Sequence, residues 1–147
     1  MPTNADITPG LNGLLKEASY GQLATLMPDG APQVTQVWLD TDGTHILVNT
    51  GADHRKAKNV QLDPRVAINI HDARAMRIAH IRGRVVEVTS AGADQHVDEL
   101  ARKYLGAEKY PWRRPGEERI ILKIQPEKIY SIGVDGDVWQ QPEGGAQ

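Results

Sequence analysis

The strongest constraint on this chain is a succession of short segments in which apolar and polar residues alternate, each closed by turn residues. Residues 22–27 lead into Pro28-Asp29-Gly30-Ala31, a hairpin turn, and residues 32–39 return. On the returning strand Gln33, Thr35, Val37 and Leu39 share one face and Val34, Gln36 and Trp38 the other, so neither face is purely apolar. Asp40-Thr41-Asp42-Gly43 predicts a second tight turn and residues 45–50 a third strand, so three strands are expected in meander order. In residues 65–71, Val66, Ile68 and Ile70 oppose Ala67, Asn69 and His71, the alternation of a half-buried sheet. Residues 76–89 are too long for one flat strand, and Gly83 in their middle predicts a bend or bulge. Residues 119–125 and 128–134 are read as two more strands, turning at Pro126-Glu127.

Helical spacing is confined to a few places. Thr8 is placed to cap a helix that Pro9 opens, with Leu11, Leu14, Leu15 and Ala18 on one side. Residues 91–105 carry Val97, Leu100, Ala101, Tyr104 and Leu105 at helical spacing, and Gly106 is a stop. The expectation is one mainly β domain over residues 8–134, with six or seven antiparallel strands and a few flanking helices. Residues 1–7 and 135–147 are expected to be flexible. Closure into a small barrel removes sheet edges and is preferred to a sandwich; the βαβ rhythm of a doubly wound sheet is missing.

A length of 147 residues fits one domain with a real core, and leaves room for a dimer with its site between subunits. The net charge of −2, with 17 basic against 19 acidic side chains, gives no general attraction to nucleic acid or anionic lipid. Cysteine is absent, which excludes disulfides and thiolate metal sites. No signal segment or run of transmembrane length is found, so a cytoplasmic location is expected. Ser19, Ser90 and Ser131 lack a nucleophile-elbow context. The five histidines show no paired metal-ligand spacing, and the Asp94, His96, Asp98 group on a helix is not read as a metal site.

The stretch that draws attention is Asn49-Thr50-Gly51-Ala52-Asp53-His54-Arg55-Lys56-Ala57-Lys58-Asn59-Val60. It reads as a strand end, a tight turn and one or two helical turns, with His54, Arg55, Lys56 and Lys58 within five positions. Free N–H groups at a helix start beside two or three cations suit an anion such as phosphate. The bland alternative is a solvated basic face. Lys56 and Lys58, two apart on a helix, diverge. Asn59 is either a ligand contact or a cap for its own backbone, and Trp38 either covers a flat ring or packs as core or interface. Tyr110, Trp112, Arg113 and Arg114 make an aromatic and cationic loop, either a lid or packing for the helix before it.

These pieces together resemble the pyridoxamine 5'-phosphate oxidase-like split-barrel proteins, and within them the small F420-dependent oxidoreductases of the FDOR-B type. The resemblance is carried by Gly21-Gln22-Leu23-Ala24-Thr25-Leu26, Asp29-Gly30-Ala31-Pro32-Gln33-Val34, Ile46-Leu47-Val48-Asn49-Thr50 and Lys56-Ala57-Lys58-Asn59-Val60. It continues through Asp63-Pro64-Arg65-Val66-Ala67, Ile81-Arg82-Gly83-Arg84-Val85, Lys103-Tyr104-Leu105-Gly106 and Tyr110-Pro111-Trp112. It implies a split barrel, a homodimer with cofactor between the barrels, and hydride transfer from reduced F420 to an electron-poor double bond of a small organic substrate. Lys56, Lys58 and Asn59 would meet the cofactor phosphate, with His54 close to that anion end, and Asn49 and Thr50 would lie by the phosphate or ribityl chain. Thr35, Gln36, Val37 and Trp38 would lie near the ring, Tyr110 and Trp112 would approach the neighbouring subunit's site, and Arg74 and Arg77 would reach an acidic tail. FMN is the alternative cofactor, and a non-catalytic F420, flavin or haem carrier or sensor the alternative role. Full pyridoxamine-phosphate oxidases are longer, so vitamin B6 oxidation is not expected. No catalytic acid stands out; solvent or Tyr110 is the candidate proton source.

Overall fold

The computed structural model describes residues 4–137. In chain order they form α1 (Pro9–Lys16), β1 (Tyr20–Leu26), β2 (Pro32–Trp38), β3 (Asp40–Thr41), β4 (Ile46–Gly51), α2 (Arg55–Leu62), β5 (Arg65–Asp72), β6 (Arg77–Thr89), α3 (Ala93–Leu105) and β7 (Arg119–Ile132). The seven strands make one antiparallel sheet, β2-β1-β5-β6-β7-β4-β3, curled into a half-barrel. Leu11, Leu14 and Leu15 of α1 are buried against Leu23, Ile70, Ile81, Leu122 and Ile124 inside the curl. Each such leucine contributes about 1.5–3 kcal/mol of hydrophobic stabilisation. The cap at Thr8 forms as the sequence suggests: its hydroxyl accepts the Leu11 N–H at 3.2 Å. Thr8 also donates to Asp135, which brings position 135 onto the start of α1.

Two expectations are corrected. The first three long strands are not a meander: β2 pairs only with β1, whereas β4 pairs with β3 and β7. The two-residue β3 intervenes, and the turn moves to Asp42, whose carboxylate accepts the N–H groups of Thr44 and His45. Pro126-Glu127 is not a turn. β7 runs straight through it, with Pro126 opposite Gly83 at a register shift. A Cβ on Gly83 would lie 2.3 Å from the Gln125 carbonyl oxygen, so only glycine admits this close approach. Pro126 needs no N–H at a bulge, and its carbonyl still accepts the Ala5 N–H at 2.8 Å.

The consequence for function is a seam. β2 and β4 come into contact without hydrogen bonding to each other, so the half-barrel opens along a line between them. The turn after β4 and the start of α2 lie at that line.

Candidate functional site

A cleft of about 240 Å³ occupies the seam. β2 contributes Gln36, Val37 and Trp38, and β4 contributes Asn49 and Thr50. His54 and Lys56 come from the start of α2, Tyr110 and Trp112 from the loop after α3, and Arg119 from the first position of β7. A larger concavity of about 500 Å³ lies on the outer face of the sheet, around Val34, Ala67, Arg82 and Tyr130. The chemistry converges in the smaller one.

One end of the cleft is cationic. β4 ends at Gly51, where a Cβ would sit 3.0 Å from both Asp53 Oδ1 and Glu117 Oε1, so glycine lets the chain turn tightly into α2. His54 is the N-cap residue, but its side chain caps nothing; Nδ1 instead pairs with Thr50 Oγ1 at 3.0 Å. The first-turn N–H groups of α2 therefore have no side-chain cap among the described residues. Lys56 is half-buried and has no carboxylate partner among the described residues. Burial first, then repulsion from Arg119, holds its ammonium below the ordinary lysine value. Burial and then Lys56 likewise depress His54, against the opposing pull of Asp53. Arg119 is nearly buried: Nε donates to Asn49 Oδ1 at 2.9 Å, NH1 to Glu117 Oε1 at 3.1 Å, and the guanidinium lies 4.9 Å from the Tyr110 ring centroid. Burial alone would raise the Glu117 carboxyl, but the Arg114 N–H and Arg119 outweigh it and keep it ionised. Glu117 neutralises one of two permanent cations, leaving the site short of negative charge.

The other end is aromatic. Trp38 stacks on Tyr104 with centroids 5.0 Å apart and planes 5° apart, so one face of the indole is already covered. Tyr110 and Trp112 stand over the remainder at 6.1 and 6.2 Å. Trp112 is 59% exposed, so this wall borders solvent. The Tyr110 loop is fastened by the Tyr110 N–H to Asp98 and by Arg113 to Asp94 and Asp98. The loop thus packs on the helix before it and also walls the cleft of its own chain. Tyr104 donates to the Ser19 carbonyl at 2.6 Å, and burial pushes its phenol up to about 12.

The remaining nominated residues lie elsewhere. Lys58 is exposed on α2, turned away from Lys56. Asn59 is fully buried and neither lines the cleft nor caps its own helix; Nδ2 donates to Thr25 Oγ1 at 3.0 Å, pinning α2 to β1, and Oδ1 has no partner among the described residues. Thr35 Oγ1 is buried without a partner among the described residues, and the residue is not among those lining the cleft. Arg77 pairs with Glu17 and Asp72, beside Arg74, around a separate surface hollow. Arg119 was missed by sequence reasoning; an arginine opening an otherwise apolar strand was the only signal. His96, rather than joining Asp94 and Asp98, bonds to Asp40 and Asn49.

Antiparallel strands curled into a half-barrel that stays open along one seam are the fold of the flavin-binding split barrels. Within that class the chain belongs to the pyridoxamine 5'-phosphate oxidase family, whose profile matches residues 7–133. A pyridoxine/pyridoxamine 5'-phosphate oxidase of Erythrobacter litoralis is 34% identical over 110 residues, 74% of this chain and 52% of that protein. One from Rhodopseudomonas palustris is 27% identical over 132 residues, 87% of this chain and 61% of the relative. The chain thus spans between about half and three-fifths of the length of these curated relatives. Among solved structures, an F420 reductase aligns with a TM-score of 0.70 and 26% identity, over 81% of this chain and 94% of that one. The conserved hypothetical protein Rv2991 of Mycobacterium tuberculosis aligns at 0.64 and 23%, over 89% of each chain, a likeness of fold.

Proposed function

We propose that this chain is an oxidoreductase of the FDOR-B type that holds F420 in the seam cleft and passes a hydride from its reduced form to an electron-poor double bond of a small organic substrate. The observation that carries this reading is the unbalanced cationic end, Lys56 and Arg119 beside His54 at a helix start without a side-chain cap, joined to an aromatic wall in one cleft. These groups fit a phosphate-bearing cofactor: an anion between Lys56 and Arg119 relieves the repulsion that depresses Lys56. The F420 reductase likeness favours F420, and the family itself favours FMN as the second reading.

When bound, the cofactor supplies the hydride, and the protein supplies grip, orientation and shielding. Lys56, Arg119 and the first turn of α2 would hold the phosphate, Thr50 keeps the His54 ring in place, and Gln36 and Trp38 would border the ring system, with Val37 packed behind them. Trp38 and Trp112 exclude water on the aromatic side. Tyr110, beneath the Arg119 guanidinium, or solvent gives the substrate its proton. The reading includes a homodimer in the cytoplasm with its cofactor sites at the boundary between the two copies, and the exposed Val34 and Tyr130, at 62% and 54%, support an apolar contact surface for the second copy.

Calorimetric titration with F420 and FMN tests the cofactor, and oxidation of reduced F420 by a quinone, an enone and a tetrapyrrole tests turnover. F420 binding tighter than FMN, with acceptor-dependent oxidation, is expected. Tight FMN binding alone gives the second reading; F420 binding without oxidation makes the chain a carrier or sensor; binding of neither overturns the proposal.

A further inference from the structure

We infer that His96 is a positioning residue for the cleft, acting through the Asn49 amide to hold the Arg119 fork in place. The bonds involved connect α3, β4 and β7. His96 is 7% exposed on α3; its Nε2 lies 3.0 Å from Asp40 Oδ2 and its Nδ1 3.1 Å from Asn49 Nδ2. Asn49 Nδ2 also donates to the Ala93 carbonyl at 2.9 Å, and Asn49 Oδ1 accepts Arg119 Nε at 2.9 Å.

These contacts admit one sense only. A guanidinium has donors and no acceptor, so the atom facing Arg119 is the amide oxygen. The amide nitrogen then spends one hydrogen on the Ala93 carbonyl and the other on His96, so His96 Nδ1 presents a lone pair. The ring proton sits on Nε2 and points at Asp40. That carboxylate is held in turn by the Thr41 N–H at 2.8 Å and Lys16 Nζ at 3.0 Å. Donation therefore runs outward from Asn49: through His96 into Asp40 on one side, while its oxygen fixes Arg119 on the other.

What reaches the cleft is the geometry of one cation. Arg119 spends Nε on Asn49 and NH1 on Glu117, and lays one face on Tyr110. The other guanidinium hydrogens remain for an anion in the cleft, and their direction is set by the two bonds already made. Loss of the His96 acceptor leaves the amide nitrogen held by the Ala93 carbonyl alone and loosens the fork without removing any charge from the site. A merely structural histidine, holding α3 onto β4, would weaken ligand binding whether or not Arg119 is present. A positioning histidine matters only through Arg119.

The ligand in this inference rests on the function proposed above; the bond network does not. A double-mutant cycle decides it, with F420, FMN and inorganic phosphate as calorimetric probes of wild type, His96→Ala, Arg119→Ala and the double variant. His96→Ala is expected to weaken binding about tenfold in the wild-type background and less than about twofold beside Arg119→Ala. His96→Gln keeps an acceptor and a donor and should recover most of the loss, and it replaces His96→Ala in the cycle if the alanine variant does not fold. Equal losses in both backgrounds, or no loss at all, overturn the inference. A second readout needs no ligand: the exchange rate of the Arg119 Nε hydrogen, followed by NMR in the free protein. It is expected to rise about tenfold or more in His96→Ala and to return toward wild type in His96→Gln. An unchanged rate overturns the inference. Binding of no probe to wild type would count against the proposed cofactor, and the exchange rate would still decide the role of His96.

Discussion

Lys56 and Lys58 lie two residues apart on the same helix, and the cleft distinguishes them. Lys56 is half-buried at the cationic end; Lys58 points into solvent from another side of α2. A hydrogen bond between a charged donor and a phosphate is worth about 1.5–3 kcal/mol, or about 10- to 150-fold in Kd. Arg119 and the helix start still hold the anion when Lys56 is gone, so Lys56→Ala belongs in the lower half, at about 10- to 40-fold. The free protein loses nothing comparable. Burial and Arg119 already disfavour the Lys56 charge, so its removal should leave the melting temperature within about 2 °C of wild type or raise it. Lys58→Ala should change Kd less than about twofold. The assay is calorimetric titration with F420 at fixed salt, paired with scanning calorimetry of each apoprotein. Equal effects of the two substitutions would refute the assignment of Lys56 to the anion seat. So would a Lys56→Ala protein that binds normally, or one that loses affinity only because it melts early.

Three further outcomes follow from the same structure. An anion beside His54 raises a pKa that burial and Lys56 hold below the ordinary 6.5, so binding takes up a proton. F420 affinity should therefore rise as pH falls from about 8 to 6, and His54→Asn should flatten that slope; FMN should show a weaker slope because its own phosphate protonates near pH 6. Burial would raise the Asp40 carboxyl, but His96, the Thr41 N–H and Lys16 overcome this and lower it strongly. Its contribution is thus complete above the unfolded value near 3.9 and lost as pH falls through the depressed native value. Asp40→Asn should cost about 1–3 kcal/mol at pH 7, read by urea unfolding, with the difference from wild type shrinking below about pH 4. Gly83→Ala forces a Cβ against the Gln125 carbonyl and should cost about 2 kcal/mol or more, lowering the melting temperature by about 4–8 °C.

The strands were legible wherever one face is buried and the other is not. Val66, Ile68 and Ile70 point into the curl as their alternation requires. β2 gave no clear face because it borders the seam: Val37 packs inward, while Gln36 and Trp38 look onto a cleft whose opposite wall joins β4 to Tyr110, Trp112 and Arg119, the last three 72 to 83 residues away in the chain. Local pattern carries no information on that opposite wall. This is why Trp38 stayed open between ring cover and core, and why Arg119 went unnoticed. Its partner Asn49 is 70 positions away, and only the β4–β7 pairing brings them together. Pro126 misled for a different reason: proline signals a turn in most settings, and the condition that permits it in a strand, Gly83 on the neighbouring strand, lies 43 residues earlier. Asn59 was nominated because it follows the lysines in the resemblance, yet helical geometry turns it inward to Thr25.

The stacked indole and phenol rings have a practical corollary. Of three tryptophans in the chain, Trp38 and Trp112 flank the cleft, and Trp139 lies outside the described residues. Among the described residues, intrinsic emission therefore comes from the walls of the cleft proposed to hold the cofactor. A tricyclic chromophore within a few ångströms of those indoles would quench them by energy transfer, so occupancy could be followed by eye on a fluorimeter trace with no label attached.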